Sequence, residues 1–166
     1  MDQPNASGQS GGPASKRGLL GAGVFGVGFS GLVDVLVLHH VLQWHHLLSG
    51  IYPMDTLAGL RTNVLADGLF SLGMLVVTGV GAGLLWRAER AASEPLAVRP
   101  LAGAALVGLG AFDLLDAAVD HVLLGLHQPL SQGGRYNPHW LAASLLVVGA
   151  GYYVYRTGLA GETGGG

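Results

Sequence analysis

The sequence predicts an all-α integral membrane protein, a four-helix bundle with both termini on the cytoplasmic side. Composition is the first reason: 11% of the 166 residues are charged and 50% are hydrophobic, whereas a soluble domain carries roughly 25% charge. At a mean hydropathy of +0.48, a soluble fold would leave a large apolar surface in water. The second reason is four apolar stretches, at about 19–44, 64–86, 101–126 and 140–155. Three exceed and the last approaches the roughly 20 residues that a helix needs to cross the hydrocarbon core, where only helices and closed barrels satisfy their own backbone. The third is the placement of cations. With the N-terminus inside, Lys16, Arg17, Arg87, Arg90, Arg99 and Arg156 are cytoplasmic and only Arg61 and Arg135 lie outside, as the positive-inside rule prefers.

In chain order, residues 1–17 mix Gly, Ser, Pro, Asn and Gln without periodicity and are expected to be a disordered cytoplasmic tail. The transmembrane domain is expected over 18–157. The first stretch exceeds the 7–15 apolar residues of a secretory signal, and no A-x-A-like site follows it. Its Gly21, Gly23, Gly26, Gly28 and Gly31, with Ala22, Gly26 and Ser30 at four-residue spacing, suit close helix packing. The accidental G-x-G-x-x-G from Gly21 to Gly26 has no preceding strand and no acid about 20 residues later, so it reads as packing as well. Gly79-x-x-x-Gly83 repeats the device in the second stretch. Trp44, Trp86, Trp140, Tyr152, Tyr153 and Tyr155 fall at stretch ends, where amphipathic rings mark the membrane interfaces. The last stretch is the shortest, and 158–166 reads as a flexible tail.

Several function classes are excluded. A net charge of -2 lacks the basic footprint of a nucleic-acid binder. The absence of cysteine removes disulfides, thiolate metal sites, iron–sulfur clusters and a cysteine nucleophile. No serine nucleophile elbow, P-loop or H-E-x-x-H occurs, which leaves catalysis open, since redox chemistry at a metal needs none of them.

What remains is a set of polar residues at membrane depth. All seven histidines fall in the outer half: His39, His40, His45 and His46 close the first stretch, His121 and His127 close the third, and His139 opens the fourth. Asp34, Asp67, Asp113, Asp116 and Asp120 lie deeper, each costing at least about 2.5 kcal/mol on insertion scales. On a regular helix Asp113, Asp116, Asp120 and His127 share a stripe of roughly 60°. Three adjacent carboxylates cannot all stay ionised there without protons or cations between them. Likewise His39, Gln43 and His46 share one side of the first helix, Asp34 and His45 another, and His40 lies off both. Two histidines seven apart stand about 10 Å apart along a regular helix, so a second ligand must come from another helix. Asn63, Asp67 and Ser71 make a polar line on the second helix, and Asn137 and His139 supply the fourth.

Histidines and aspartates from facing helices resemble the way helical bundles build metal sites. The expected ligands are His39, His46, Asp67, Asp116, Asp120, His127 and His139. Asp34, Gln43, His45, Asp113 and His121 are expected to orient ligands or relay protons. The donors suit copper first, with iron or zinc as alternatives, near the outer face, in a redox or metal-handling role. Three other functions stay open: a bis-His haem b carrier, an intramembrane proton relay, and a structural or assembly subunit of a respiratory complex with the polar groups as interhelical glue. Besides the lipid bilayer, a homo-oligomer or a respiratory-complex partner is open. Without an inverted repeat a stand-alone transporter is disfavoured.

The run Gly31-Leu-Val-Asp34-Val-Leu-Val-Leu-His39-His40-Val-Leu-Gln43-Trp44-His45-His46 resembles the bacterial and archaeal membrane proteins called domain of unknown function 2243, as does the later run from Gly110 through Asp113, Asp116, Asp120, His121 and Gly125 to His127-Gln128. The resemblance covers about 21–155 and implies a four-helix integral membrane protein with no established activity. It marks Asp34, His39, Gln43, His45 and His46 in the first run. Asp67, Asp120, His121 and His127 are marked beyond it. The chain departs from the family pattern with His40 in place of Gln, Asp116 in place of Glu, and Val122 and Gln128 in place of His.

Overall fold

The structure, a computed structural model, describes residues 15–130 and 134–163, with side chains as far as 160. Ser15 accepts the Gly18 N–H at 3.0 Å and caps α1 (Lys16–Val33). The helix therefore takes in the Lys16-Arg17 end of the expected tail, of which residues 1–14 lie outside the described residues. Without a break α1 widens into a π-helical segment, Asp34–Val41. A loop follows, and Thr56 caps α2 (Leu57–Ala91) by accepting the Gly59 N–H at 3.1 Å. The second half repeats the design: α3 (Val98–Asp116) widens into a π-helical segment, Ala117–Leu123, and α4 (Asn137–Thr163) follows a short 3-10 turn.

Helix limits differ from the apolar runs for local reasons. The first and third helices end at Val41 and Leu123, short of 44 and 126, because Gln43 (φ 50°) and Gly125 (φ 62°) adopt the left-handed conformation that closes a helix C-terminus. Beyond Trp86, α2 continues through Arg87-Ala88-Glu89-Arg90-Ala91, good helix formers that need no lipid. Likewise α4 continues past 155 to Thr163, into the expected flexible tail, whose residues 164–166 lie outside the described residues. Among the described residues, Lys16–Val41, Leu57–Ala91 and Val98–Leu123 are long and apolar enough to cross a membrane. Asn137, Pro138 and His139 open α4 with polar groups, which shortens its apolar stretch.

The helices pack as a row. α1 and α3 lie side by side in the middle, α2 flanks α1, and α4 flanks α3. Glycines set these contacts. A Cβ at Gly26 would collide with the Ala105 carbonyl and one at Gly108 with the Gly23 carbonyl, so α1 and α3 meet backbone to backbone. Gly81 meets the Phe25 backbone and Gly151 the Val107 backbone in the two flanking contacts. The expected all-α arrangement of four helices is present, and the closest helix approaches follow the small residues.

Burial is inverted relative to a soluble protein. Leu65, Leu69, Leu72 and Val76 of α2 are all more than 60% exposed, as suits a lipid-facing side. His39, His45, His127, Asn63 and Asp67 are among the largest fully buried side chains. The polar core sits at the end where the two π-helical segments finish.

Candidate metal centre

The π-helical segments create the site. At 3.6 residues per turn, Asp34 and His39 would stand about 140° apart. Wider turns, seen in the Leu42 N–H donating to the Val37 carbonyl at 2.8 Å, bring the two onto one face. His39 Nε2 then lies 3.2 Å from Asp34 Oδ2. After the left-handed Gln43 the chain folds back, and His45 Nε2 comes to 3.9 Å from Asp34 Oδ1. The two imidazoles meet edge to face with centroids 4.5 Å apart.

The second half repeats each step. Leu124 N–H donates to Val119 O at 2.8 Å, Gly125 turns left-handed, and Asp116 faces His121 Nε2 at 3.0 Å and His127 Nε2 at 3.5 Å. His121 and His127 also meet edge to face, at 4.6 Å. Asp34, His39 and His45 correspond to Asp116, His121 and His127, each 82 residues further on. Across the pseudo-twofold axis the His45 and His127 rings stack at 4.6 Å with planes 5° apart. Each of these two donates its Nδ1–H to a loop carbonyl of the other half: His45 to Pro129 at 3.1 Å and His127 to Leu47 at 3.2 Å. Both helix ends thus point the same way, making a parallel repeat.

These partners fix the chemistry of the rings. An imidazole whose Nδ1–H donates to a carbonyl presents a lone pair at Nε2 when neutral. Burial, with the His127 and His39 rings beside it, pushes His45 down to about 3, so it is neutral near pH 7. His39 Nδ1–H donates to Asp67 Oδ1 at 2.9 Å. The Nε2 atoms of His39, His45, His121 and His127 are buried without a hydrogen-bond partner among the described residues. Ligand atoms of His39, His45 and His127 lie within 4.8 Å of one another, as do those of Asp116, His121 and His127. Donor set and orphaned nitrogens together fit a metal cation.

Other expected residues lie around this centre. Asp67 accepts from His39, His46 and the Leu47 N–H. His46 is therefore held away from the orphaned nitrogens. Asn63 pins the same loop to α2, accepting the Leu48 N–H and donating to the Tyr52 carbonyl, each at 3.0 Å. Asp120 is half-buried and interacts with Asp116, while Asp113 accepts from the Ser30 hydroxyl at 2.6 Å between α3 and α1. His139 is exposed beside the Tyr136 ring, and Gln43 is exposed and shapes the turn. Asp34, His45 and His121 thus lie together with His39, Asp116 and His127, whereas His46 joins them through Asp67. His40 is exposed, its Nδ1–H donating to the Val35 carbonyl at 2.7 Å.

Regular-helix geometry separates Asp34 from His39 and hides this convergence. The signal that finds it is the spacing Asp-x4-His-x5-His, which occurs at 34–45 and again at 116–127.

Neither the curated proteins nor the solved structures include a match to this chain. A family model described as predicted membrane protein (DUF2243) matches residues 21–158. These residues take in both Asp-His-His sets and most of the four helices, and the chain belongs to that family.

Proposed function

We propose that the protein is a multi-pass protein of the cell membrane, both termini cytoplasmic, whose paired helix ends hold a transition-metal centre near the outer face. One observation carries the reading: four buried imidazole Nε2 atoms with no hydrogen-bond partner among the described residues face two buried carboxylates. The supporting bonds are those expected of metal-ligating histidines, which donate the second ring N–H to a carboxylate or a backbone carbonyl. Asp67 does this for His39, and Pro129 and Leu47 for His45 and His127. Asp34, His39, His45, Asp116, His121 and His127 would be the donors. Nitrogen and oxygen without sulfur suit Cu(II), Fe(II) or Zn(II). A bound ion would supply Lewis acidity, or redox chemistry if it is copper or iron. The close contact of the His45 and His127 rings leaves no gap for a porphyrin plane between them, which weighs against haem.

Orientation follows the distribution of Lys and Arg, and the repeat supports α4 as a crossing helix, since it takes the place of α2 in the second half. A redox or metal-handling role accords with a buried centre close to one membrane face.

A second reading has its own observation. His39 lies between Asp34 and Asp67, and Asp67 also accepts from His46, so a protonated His39 would complete a chain able to relay protons. Elemental analysis by plasma mass spectrometry separates the two. Protein purified in mild detergent without a His-tag or chelator should contain at least one copper, iron or zinc per chain, reduced in His39→Ala and in His127→Ala. Metal well below one equivalent, unchanged after reconstitution, would favour the proton relay.

A further inference from the structure

Resting on the reading of this cluster as a metal centre, we propose that it holds two ions, one in each half of the duplicated fold, in inequivalent surroundings. The first ion is held by Asp34, His39 and His45, and the second by Asp116, His121 and His127. Within each half the aspartate offers one oxygen to each histidine: Asp34 Oδ2 to His39 and Oδ1 to His45, Asp116 Oδ2 to His121 and Oδ1 to His127.

Ring geometry separates the two positions. An imidazole binds a metal through an in-plane lone pair. The His45 and His127 planes are parallel within 5° and stacked at 4.6 Å, so an ion in the plane of one ring lies out of the plane of the other. The edge-to-face pairs His39–His45 and His121–His127 carry no such restriction. One ion per half uses every orphaned nitrogen once. Three protein donors on each ion leave coordination positions open for water or a small anion.

The inequivalence comes from the flanking helices. Met74 and Ser144 occupy matching positions against Gly28 and Gly110, as do Gly81 and Gly151 against Phe25 and Val107, an offset of 70 residues between α2 and α4. The same offset sets Asn137 where the first half has Asp67. Asp67 takes a proton-bearing Nδ1 from His39, but His121 Nδ1 and Asn137 Oδ1 both lack a hydrogen-bond partner among the described residues. At the position of His46 stands Gln128, whose Oε1 accepts from Asn137 at 2.8 Å. A carboxylate behind a ligand imidazole raises its basicity, and a neutral amide does not. In the second half the extra carboxylate is Asp120, beside Asp116 itself.

The test is a Co(II) titration of the full chain in detergent after stripping with a chelator, in a background where the exposed His40 and His139 are replaced by alanine. Saturation at two equivalents is expected, with one equivalent each for Asp34→Ala and Asp116→Ala and unequal affinities between these variants. If either fails to keep its helix content, Asp34→Asn and Asp116→Asn take their place. Saturation of the parent at one equivalent, or loss of all binding from either folded variant, overturns the two-ion centre while leaving a metal centre standing. Equal affinities in the two single-site variants overturn the inequivalence. No binding by the parent overturns both the inference and the reading beneath it.

Discussion

The two halves of the chain hold the same three side chains in the same way and surround them differently. In the first, Asp67 reaches from α2 to His39 and His46. In the second, Asn137 and Gln128 hydrogen-bond to each other, and His121 Nδ1 has no acceptor among the described residues. A device needed only to knit helices together would be free to vary at the convergent residues as much as at their neighbours. Here Asp-His-His is repeated atom for atom, and the outer partners have diverged. The two Asp-His-His sets are alike, and the groups behind them differ.

The largest effect should come from parting the halves. Gly108 lies against the Gly23 backbone, so Gly108→Val should destabilise the protein by about 3 kcal/mol through overpacking and eliminate metal binding in both halves. Thermal unfolding in detergent, followed by circular dichroism, measures it. Should Gly108→Val unfold like the parent, the α1–α3 contact is not what brings the halves together.

Next come the stacked rings. His45→Ala and His127→Ala each remove a fully buried side chain and a cross-half hydrogen bond, at a cost of about 2 kcal/mol for the metal-free protein. Because the two are related by the repeat, chemical denaturation should give nearly equal losses. A large inequality would deny the pseudo-symmetry of the centre.

Exchanging the outer partners sharpens the comparison. Asp67→Asn should weaken binding in the first half by about 10- to 100-fold, and Asn137→Asp should tighten the second by about tenfold. Competition with a chelator of known affinity reads both. If Asp67→Asn binds as the parent does, the carboxylate behind His39 has no influence on the ion.

The smallest effect lies in the turns. Gln43 carries a left-handed conformation that Gly125 adopts without a side-chain penalty. Gln43→Gly should therefore stabilise by up to about 1 kcal/mol and Gly125→Ala destabilise by about as much. Melting temperatures moving in the same direction for both would show that the two turns are not equivalent.

The helical segments and the membrane class were legible in the sequence because apolar runs and scarce charge report directly on lipid. The first and third helix ends were less so: placing Asp34 opposite His39 assumes 3.6 residues per turn, and the π-helical segments are wider. The lengths of α2 and α4 escaped for another reason, since Arg87–Ala91 and the segment after Tyr155 are helical without being apolar. The seven histidines fall at one end of the molecule in the sequence as in the structure, yet which of them meet depends on chain reversals at Gln43 and Gly125. The correspondence of Asp67 to Asn137 is hidden in the sequence, because the connections before α2 and α4 differ by 12 residues, shifting the repeat from 82 to 70.

The central claim is that the orphaned histidine nitrogens bind metal, and X-ray absorption at the metal edge of the purified protein tests it most directly. The account predicts nitrogen and oxygen scatterers at about 2.0–2.2 Å with the multiple-scattering signature of imidazole, diminished in His39→Ala and in His127→Ala. A spectrum without imidazole scattering, or one that neither substitution alters, would contradict it.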